Sequence, residues 1–223
     1  MIMRIGIIGA GQQAKGIAYL ALANGHEVML SNSRGPDTLA NVQSELPQCK
    51  LGTVEEACRF GQLVVVSVPL KNFTGLPQKA FAGRTVVDTN NYYPERDGHI
   101  TELDQRLITT SELLARALPA SVVIKAFNAI LAQDLYVDAR PSGSSKRRAL
   151  PIAGDDEQAK RQVASFIESL GFDVVDAGSL ANSWRFERAK PCYCIRLDQR
   201  GVQQALDRAE REIELPHGSW RRS

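Results

Sequence analysis

Short runs of apolar, β-branched residues recur along the chain, separated by stretches whose apolar positions follow a helical period. Residues 4–8 read as a first strand, 12–24 as a helix and 27–30 as a second strand. Ile17, Leu20 and Ala21 share one face of that helix, and Gly25 follows it where a left-handed cap is expected. Further strands are expected at 63–68, 85–88 and 122–125, with a helix over 110–117 between the last two. Residues 150–153, a helix over 157–170 and a strand over 172–175 make one more βαβ unit. In its helix Ala159, Val163, Phe166, Ile167 and Leu170 form a stripe, with Asp155 or Asp156 to cap the start and Gly171 the end. This alternation predicts an α/β fold, a doubly wound, mostly parallel sheet with a small C-terminal α/β lobe. Residues 138–148, rich in Pro, Gly, Ser and basic side chains, read as an exposed loop dividing residues 1–138 from 149–223. Residues 199–215 read as a charged helix, and 216–223 as a loose tail carrying Arg221 and Arg222.

One turn in this pattern carries chemistry. Gly9-Ala10-Gly11-Gln12-Gln13-Ala14 matches G-x-G-x-x-G/A between a predicted strand and a predicted helix, the context in which the pattern marks a Rossmann-type dinucleotide site. Gly9 permits the tight turn, Gly11 leaves room for a pyrophosphate, and Ala14 lets helix and strand approach. The helix start then presents unpaired N–H groups and partial positive charge to the phosphates, with Gln12 and Gln13 beside them. NAD sites place a carboxylate about 20 residues further on to hold the ribose hydroxyls. Here that place is taken by Ser31-Asn32-Ser33-Arg34, whose hydroxyls, amide and guanidinium suit a 2′-phosphate that a carboxylate would repel. Residues 1–138 are therefore expected to form an NADP-binding domain.

In open α/β sheets ligands lie beyond the carboxyl ends of the strands. Val68 and Pro69 follow one predicted strand and are candidate cofactor contacts. The segment 88–98, with Asn90, Asn91, Tyr92, Tyr93, Arg96 and Asp97, concentrates amides, rings and charge after the next. Lys125-Ala126-Phe127-Asn128 follows a third. Asn90 is expected at the cofactor, and Lys125, Asn91 and Asn128 at the reacting end, Lys125 facing the acceptor. Neither a nucleophile triad nor a metal cluster is legible, and His26, His99 and His217 have no ligand spacing. Hydride transfer needs neither: the protein aligns the nicotinamide with an acceptor and excludes water.

Composition narrows the partners. The 223 residues, at formal charge +2, give no case for nucleic acid or an anionic membrane, so a small molecule is expected. The apolar run around residues 63–66 is far short of the roughly 20 residues that span a bilayer. The opening residues lack the pattern of a secretory leader, which makes the cytoplasm the expected compartment. Cys49, Cys58, Cys192 and Cys194 are read as reduced structural thiols, and Cys192 and Cys194 on a strand would point to opposite faces.

These motifs together resemble the NADP-dependent oxidoreductases of the coenzyme F420-dependent type. The resemblance runs from residue 3 to about 193 and rests on the segments 9–14, 31–36, 67–69, 88–98, 125–128, 150–156 and 176–178. It implies pyrophosphate binding by Gly9, Gly11, Gln12 and Gln13, 2′-phosphate binding by Ser31, Ser33 and Arg34, and cofactor contacts from Val68 and Pro69. It also implies an acceptor ring, coenzyme F420 or FMN/FAD, stacked on the nicotinamide in a cleft beside the C-terminal lobe, and a homodimer. A related domain occurs in membrane metalloreductases, where NADPH reduces a flavin that passes electrons to haem. Two other readings stay open: a β-hydroxyacid or imine dehydrogenase using Lys125 as proton donor, and a non-catalytic NADPH sensor.

Overall fold

The computed structural model describes residues 2–216, 218 and 219; His217 and the tail arginines Arg221 and Arg222 lie outside the described residues. Eight strands, β1 (Arg4–Ile8), β2 (Glu27–Ser31), β3 (Lys50–Leu51), β4 (Leu63–Val66), β5 (Thr85–Asp88), β6 (Val122–Lys125), β7 (Ala149–Gly154) and β8 (Asp173–Asp176), form one sheet in the order β3-β2-β1-β4-β5-β6-β7-β8. All neighbours pair parallel except β6 and β7, which run antiparallel with Ile124 opposite Gly154. The α-helices are α1 (Gln12–Ala23), α2 (Ala40–Glu45), α3 (Val54–Phe60), α4 (Gln78–Phe81), α5 (Pro94–Asp97), α6 (Thr101–Asp104), α7 (Thr110–Ala117), α8 (Ala132–Asp138), α9 (Glu157–Ser169) and α10 (Gln199–Asp207). The expected α/β architecture with a mostly parallel sheet is therefore present.

The apolar strands have no polar side because helices cover both faces. Alternation within them divides two cores: Ile5, Ile7, Leu63, Val65, Val87 and Ile124 face one, and Ile8, Val64, Val66, Val86 and Val123 the other. Each such side chain stabilises the fold by about 1.5–3 kcal/mol when fully buried. Residues from 149 onward extend the same sheet by two strands. Leu150 and Ile152 of β7 join the core under α9, while Ala149 and Ala153 face a third cluster with Val202, Ala205 and Leu206 of α10.

Three segments depart from the pattern-based expectation. The loop after α8 is not uniformly exposed: Arg148 is fully buried, its guanidinium 3.0 Å from Asp134 and 2.7 Å from Asp138, carboxylates of α8 that answer its charge. The last helix stops at Asp207 because the chain beyond it gives the carbonyls of Glu210, Arg211 and Ile213 to the Lys190 ammonium. Cys192 and Cys194 lie in a turn, with Cys194 at φ 56°, and not on a strand. Burial pushes both thiols up to about 12, so neither is a thiolate near neutrality.

His26 ties β1 to α9. Its Nδ1 accepts from the Met3 N–H at 3.1 Å, and its Nε2 lies 2.8 Å from Ser169 Oγ, whose own proton goes to the Phe166 carbonyl. The ring is thus neutral in the fold, and burial holds its pKa below the ordinary 6.5. As pH falls through 6.5 the unfolded chain takes up a proton that the folded chain refuses, so this contribution is present above that value and lost below it. The urea midpoint is expected to drop between about pH 7 and pH 5, and His26→Gln to flatten that drop. An identical pH profile in the variant would remove His26 as its source.

Candidate functional site

The strand order reverses between β1 and β4, and two cavities open along the carboxyl ends there, the place where such sheets bind nucleotides. One, of about 560 Å³, is lined by Asn32, Ser33 and Gly35 after β2, by Thr53 and Glu55 at the start of α3, and by Lys71, Asn72 and Thr74. The other, of about 340 Å³, is lined by Gly11, Gln12 and Gln13, by Val68 and Pro69, by Asn90 and Asn91, and by Phe127 and Asn128. Val68 lines both, so the two adjoin between the end of β2 and the end of β6.

The two loop glycines serve different needs. A side chain at Gly9, which sits at φ 124°, would place its Cβ 2.1 Å from the Ser67 carbonyl oxygen, so the fold itself requires glycine there. At Gly11 the same test finds nothing within 4 Å. The space that a Cβ would fill there is open. Gly11 is also the N-cap of α1, which has no side-chain cap and no acidic residue in its first turn, so its leading N–H groups and helix dipole face the cavity that Gly11 lines.

At the β2 end the side chains divide between support and contact. Ser31 is buried and donates its hydroxyl proton to the Ile7 carbonyl, which places it in the strand end and not on the cavity wall. The Asn32 side chain shapes the turn, accepting from the Arg34 N–H at 2.9 Å and donating to Thr38 at 2.8 Å. Ser33 and Arg34 project outward, and among the described residues the Arg34 guanidinium has no ion-pair partner. Lys71, two residues past Pro69, adds a cation to the lining of this cavity that sequence reading missed, its only signal being adjacency to that turn.

At the β6 end the folding chain brings together Asn91 and Asn128. Asn91 Nδ2 donates to the Asn128 carbonyl at 2.9 Å, and Asn128 Nδ2 donates to Asn91 Oδ1 and to the Phe186 carbonyl. Among the described residues Asn128 Oδ1 is buried with no hydrogen-bond partner, and Asn128 itself lines the cleft. A buried acceptor in that state costs about 1–3 kcal/mol, which a ligand N–H relieves. Gln13 Nε2 holds the Phe127 carbonyl at 2.7 Å, fixing a residue at φ 60°. The space at Gly11 and the orphan oxygen of Asn128 both fit a dinucleotide ending in a carboxamide.

Lys125 is placed differently from the expectation that it faces the acceptor. It is fully buried and spends its three protons on Asp88 Oδ2, Thr110 Oγ1 and the Asn90 carbonyl. Asp88 in turn accepts from Ser111 and from the amide and side chain of Asn90. A side chain at the end of a strand can point inward as readily as toward ligand, and the Asp88 carboxylate draws this one in. Lys125 therefore positions Asn90 from beneath the cleft floor. Lys125→Ala is expected to destabilise the fold by about 3–5 kcal/mol in urea unfolding, because Asp88 is left as an uncompensated buried charge. Unchanged stability with lost turnover would instead make the lysine part of the chemistry.

The cleft holds two rings that the strand-by-strand reading did not join. The hydroxyls of Tyr93 and Tyr193 lie 2.5 Å apart, and both residues line the cavity with Arg96. Among the described residues no cluster of His, Cys, Asp and Glu could hold a metal ion, and no helix is long and apolar enough to cross a membrane.

Residues 4–92 match the family described as NADP oxidoreductase, coenzyme F420-dependent. Metalloreductase STEAP3 of Rattus norvegicus is 31% identical over 186 residues, covering 82% of this chain but only 36% of its own length, so the chain spans little more than a third of that relative. A hypothetical protein from Sinorhizobium meliloti has a similar crystal structure, with TM-score 0.75 and 29% identity, covering 88% of this chain and 95% of that one. A protein from Arthrobacter sp. FB24, provisionally named an F420-dependent NADP-reductase, shares the fold at TM-score 0.68 and 24% identity, covering 81% and 87%. Over residues 4–92, its N-terminal region, the chain belongs to the coenzyme F420-dependent NADP oxidoreductase family, which implies oxidoreductase chemistry with NADP(H).

Proposed function

We propose that this protein is an NADPH-dependent reductase that passes hydride to a deazaflavin or flavin ring lodged beside Asn91, Asn128 and Tyr93. The observation that carries this reading is the pair of adjoining cavities that run from Asn32 and Ser33 to Asn128, open at Gly11 where the fold itself needs no glycine. The start of α1 holds the pyrophosphate, Ser33 and Arg34 receive the 2′-phosphate on the turn that Asn32 shapes, and Asn128 Oδ1 accepts from the carboxamide. NADPH, when bound, supplies the hydride. The chain's own work is alignment and exclusion of water, for which the pinned Asn90 and Asn91 form a rigid wall. A flat aromatic acceptor agrees with the family named for coenzyme F420.

The dehydrogenase alternative relied on Lys125 as proton donor, and the full burial of that lysine counts against it. The test is anaerobic NADPH oxidation in parallel reactions with coenzyme F420, FMN, FAD, and a ferric chelate with flavin. Turnover with one of them supports the reductase and names its acceptor. Saturable NADPH binding without turnover would favour the sensor reading.

A further inference from the structure

Reduction of a flavin or deazaflavin requires a proton as well as a hydride, and the family assignment does not say where that proton comes from. We propose that Tyr93 is the proton donor to the acceptor ring, with Tyr193 as a fixed hydrogen-bond donor behind it. This deepens the reductase reading and rests on it.

The argument begins with the groups that can give up a proton in the cleft. Its lining includes the ionisable side chains Tyr93, Tyr193, Cys194 and Arg96. Arg96 remains a cation, bound through its guanidinium to Asp97 and to the Asn91 carbonyl. Cys194 is buried, and burial holds its thiol up at about 12. Tyr193 is 4% exposed, and burial pushes its phenol far up as well, so it keeps its proton. Tyr93 differs from these in being partly exposed, so it can exchange protons with water between turnovers.

The surroundings of Tyr93 suit a phenol that becomes anionic. Two guanidinium groups lie over its ring, Arg96 at 4.7 Å and Arg188 at 4.8 Å from the centroid. Each sits on a different element and is held by a carboxylate of its own, Asp97 at 2.7 Å and Glu95 at 3.1 Å. The Tyr193 hydroxyl stands 2.5 Å from the oxygen that would lose its proton. Positive charge and a donor aimed at developing negative charge are the elements of electrostatic stabilisation in a preorganised site. The groups facing Tyr93 are thus Arg96, Asp97, Arg188, Glu95 and Tyr193.

In the balanced step the nicotinamide C4–H bond breaks and its hydride bonds to the acceptor ring, oxidising NADPH to NADP⁺ and reducing the acceptor by two electrons. The Tyr93 O–H bond breaks as its proton bonds to a ring nitrogen of the acceptor. The tyrosinate left behind accepts a hydrogen bond from Tyr193 and regains a proton from water, so one solvent proton is consumed per turnover.

Tyr93→Phe retains the ring and its cation contacts and is expected to fold and to bind NADPH within about twofold of the parent. Turnover with the acceptor identified above should fall by about 100-fold or more, the usual contribution of a general acid. The parent should show a solvent deuterium isotope effect on turnover that vanishes in the variant. Without cofactor present, the variant should bind oxidised FMN several-fold more weakly and lack the absorbance shift that a hydrogen bond to the flavin ring produces. Tyr193→Phe should show a smaller loss of turnover and retain the solvent isotope effect. A Tyr93→Phe enzyme with parental turnover, solvent isotope effect and flavin spectrum overturns the role of Tyr93 alone. A parent that oxidises NADPH with none of the acceptors overturns the reductase reading beneath it.

Discussion

Gly11→Val is expected to abolish binding of both NADPH and NADH while the protein stays folded. The backbone at Gly11 has φ −76° and ψ 177°, which valine adopts without strain, and apart from the adjoining residues no atom of the described residues lies within 4 Å of an added Cβ. The valine methyls would stand in the space between the α1 N-terminus and the pyrophosphate, separating phosphate oxygens from the N–H groups that hold them. A loss of more than about 100-fold in affinity, equivalent to about 2.7 kcal/mol, is expected from excluding charge-assisted hydrogen bonds of this kind. Calorimetric titration reads the affinity, and a melting temperature close to that of the parent shows that the loss is local. Unchanged binding would remove the loop from the cofactor site.

Arg34→Ala should separate the two cofactors. The guanidinium is exposed at the end of β2 and, among the described residues, has no ion-pair partner, so on the proposed reading its removal takes away a charge that the 2′-phosphate would use. NADPH affinity is expected to fall by roughly 10- to 100-fold, in line with about 1.5–3 kcal/mol for a hydrogen bond to a charged group, and NADH affinity to stay within about twofold. The remaining preference for NADPH should weaken further with added salt, since Ser33 and Lys71 leave a solvent-exposed, screened field. Equal weakening of both cofactors would show that Arg34 does not read the phosphate.

The strands that form the centre of the sheet were legible because a strand buried on both faces is apolar throughout, as in Leu63-Val64-Val65-Val66. β3 escaped the pattern because it is two residues long, and α3, though its start carries a Thr53–Glu56 capping box, because its 7 residues are too few to show a helical period. The reversed direction of β7 against β6 has no local signature, since pairing direction is set by where the chain returns and not by side-chain period. At the site, the glycine pattern located the phosphate end but could not tell Gly9, required by the Ser67 carbonyl, from Gly11, required by nothing in the protein. Lys125 was recognised as important, yet the direction of its side chain depended on Asp88, a partner 37 residues away. Tyr93 and Tyr193, 100 residues apart in sequence, meet only because the turn after Phe186 returns to the cleft, and no spacing rule predicts that.

The central claim is that hydride leaves NADPH for a flat ring acceptor in the cleft past Val68, and anaerobic oxidation of C4-deuterated NADPH tests it most directly. The reductase account predicts loss of the reduced nicotinamide absorbance with coenzyme F420 or a flavin, slowed severalfold by the label, and deuterium retained in the acceptor if that acceptor is the deazaflavin, whose receiving atom is carbon. Tight NADPH binding with no oxidation by either class of acceptor would contradict it.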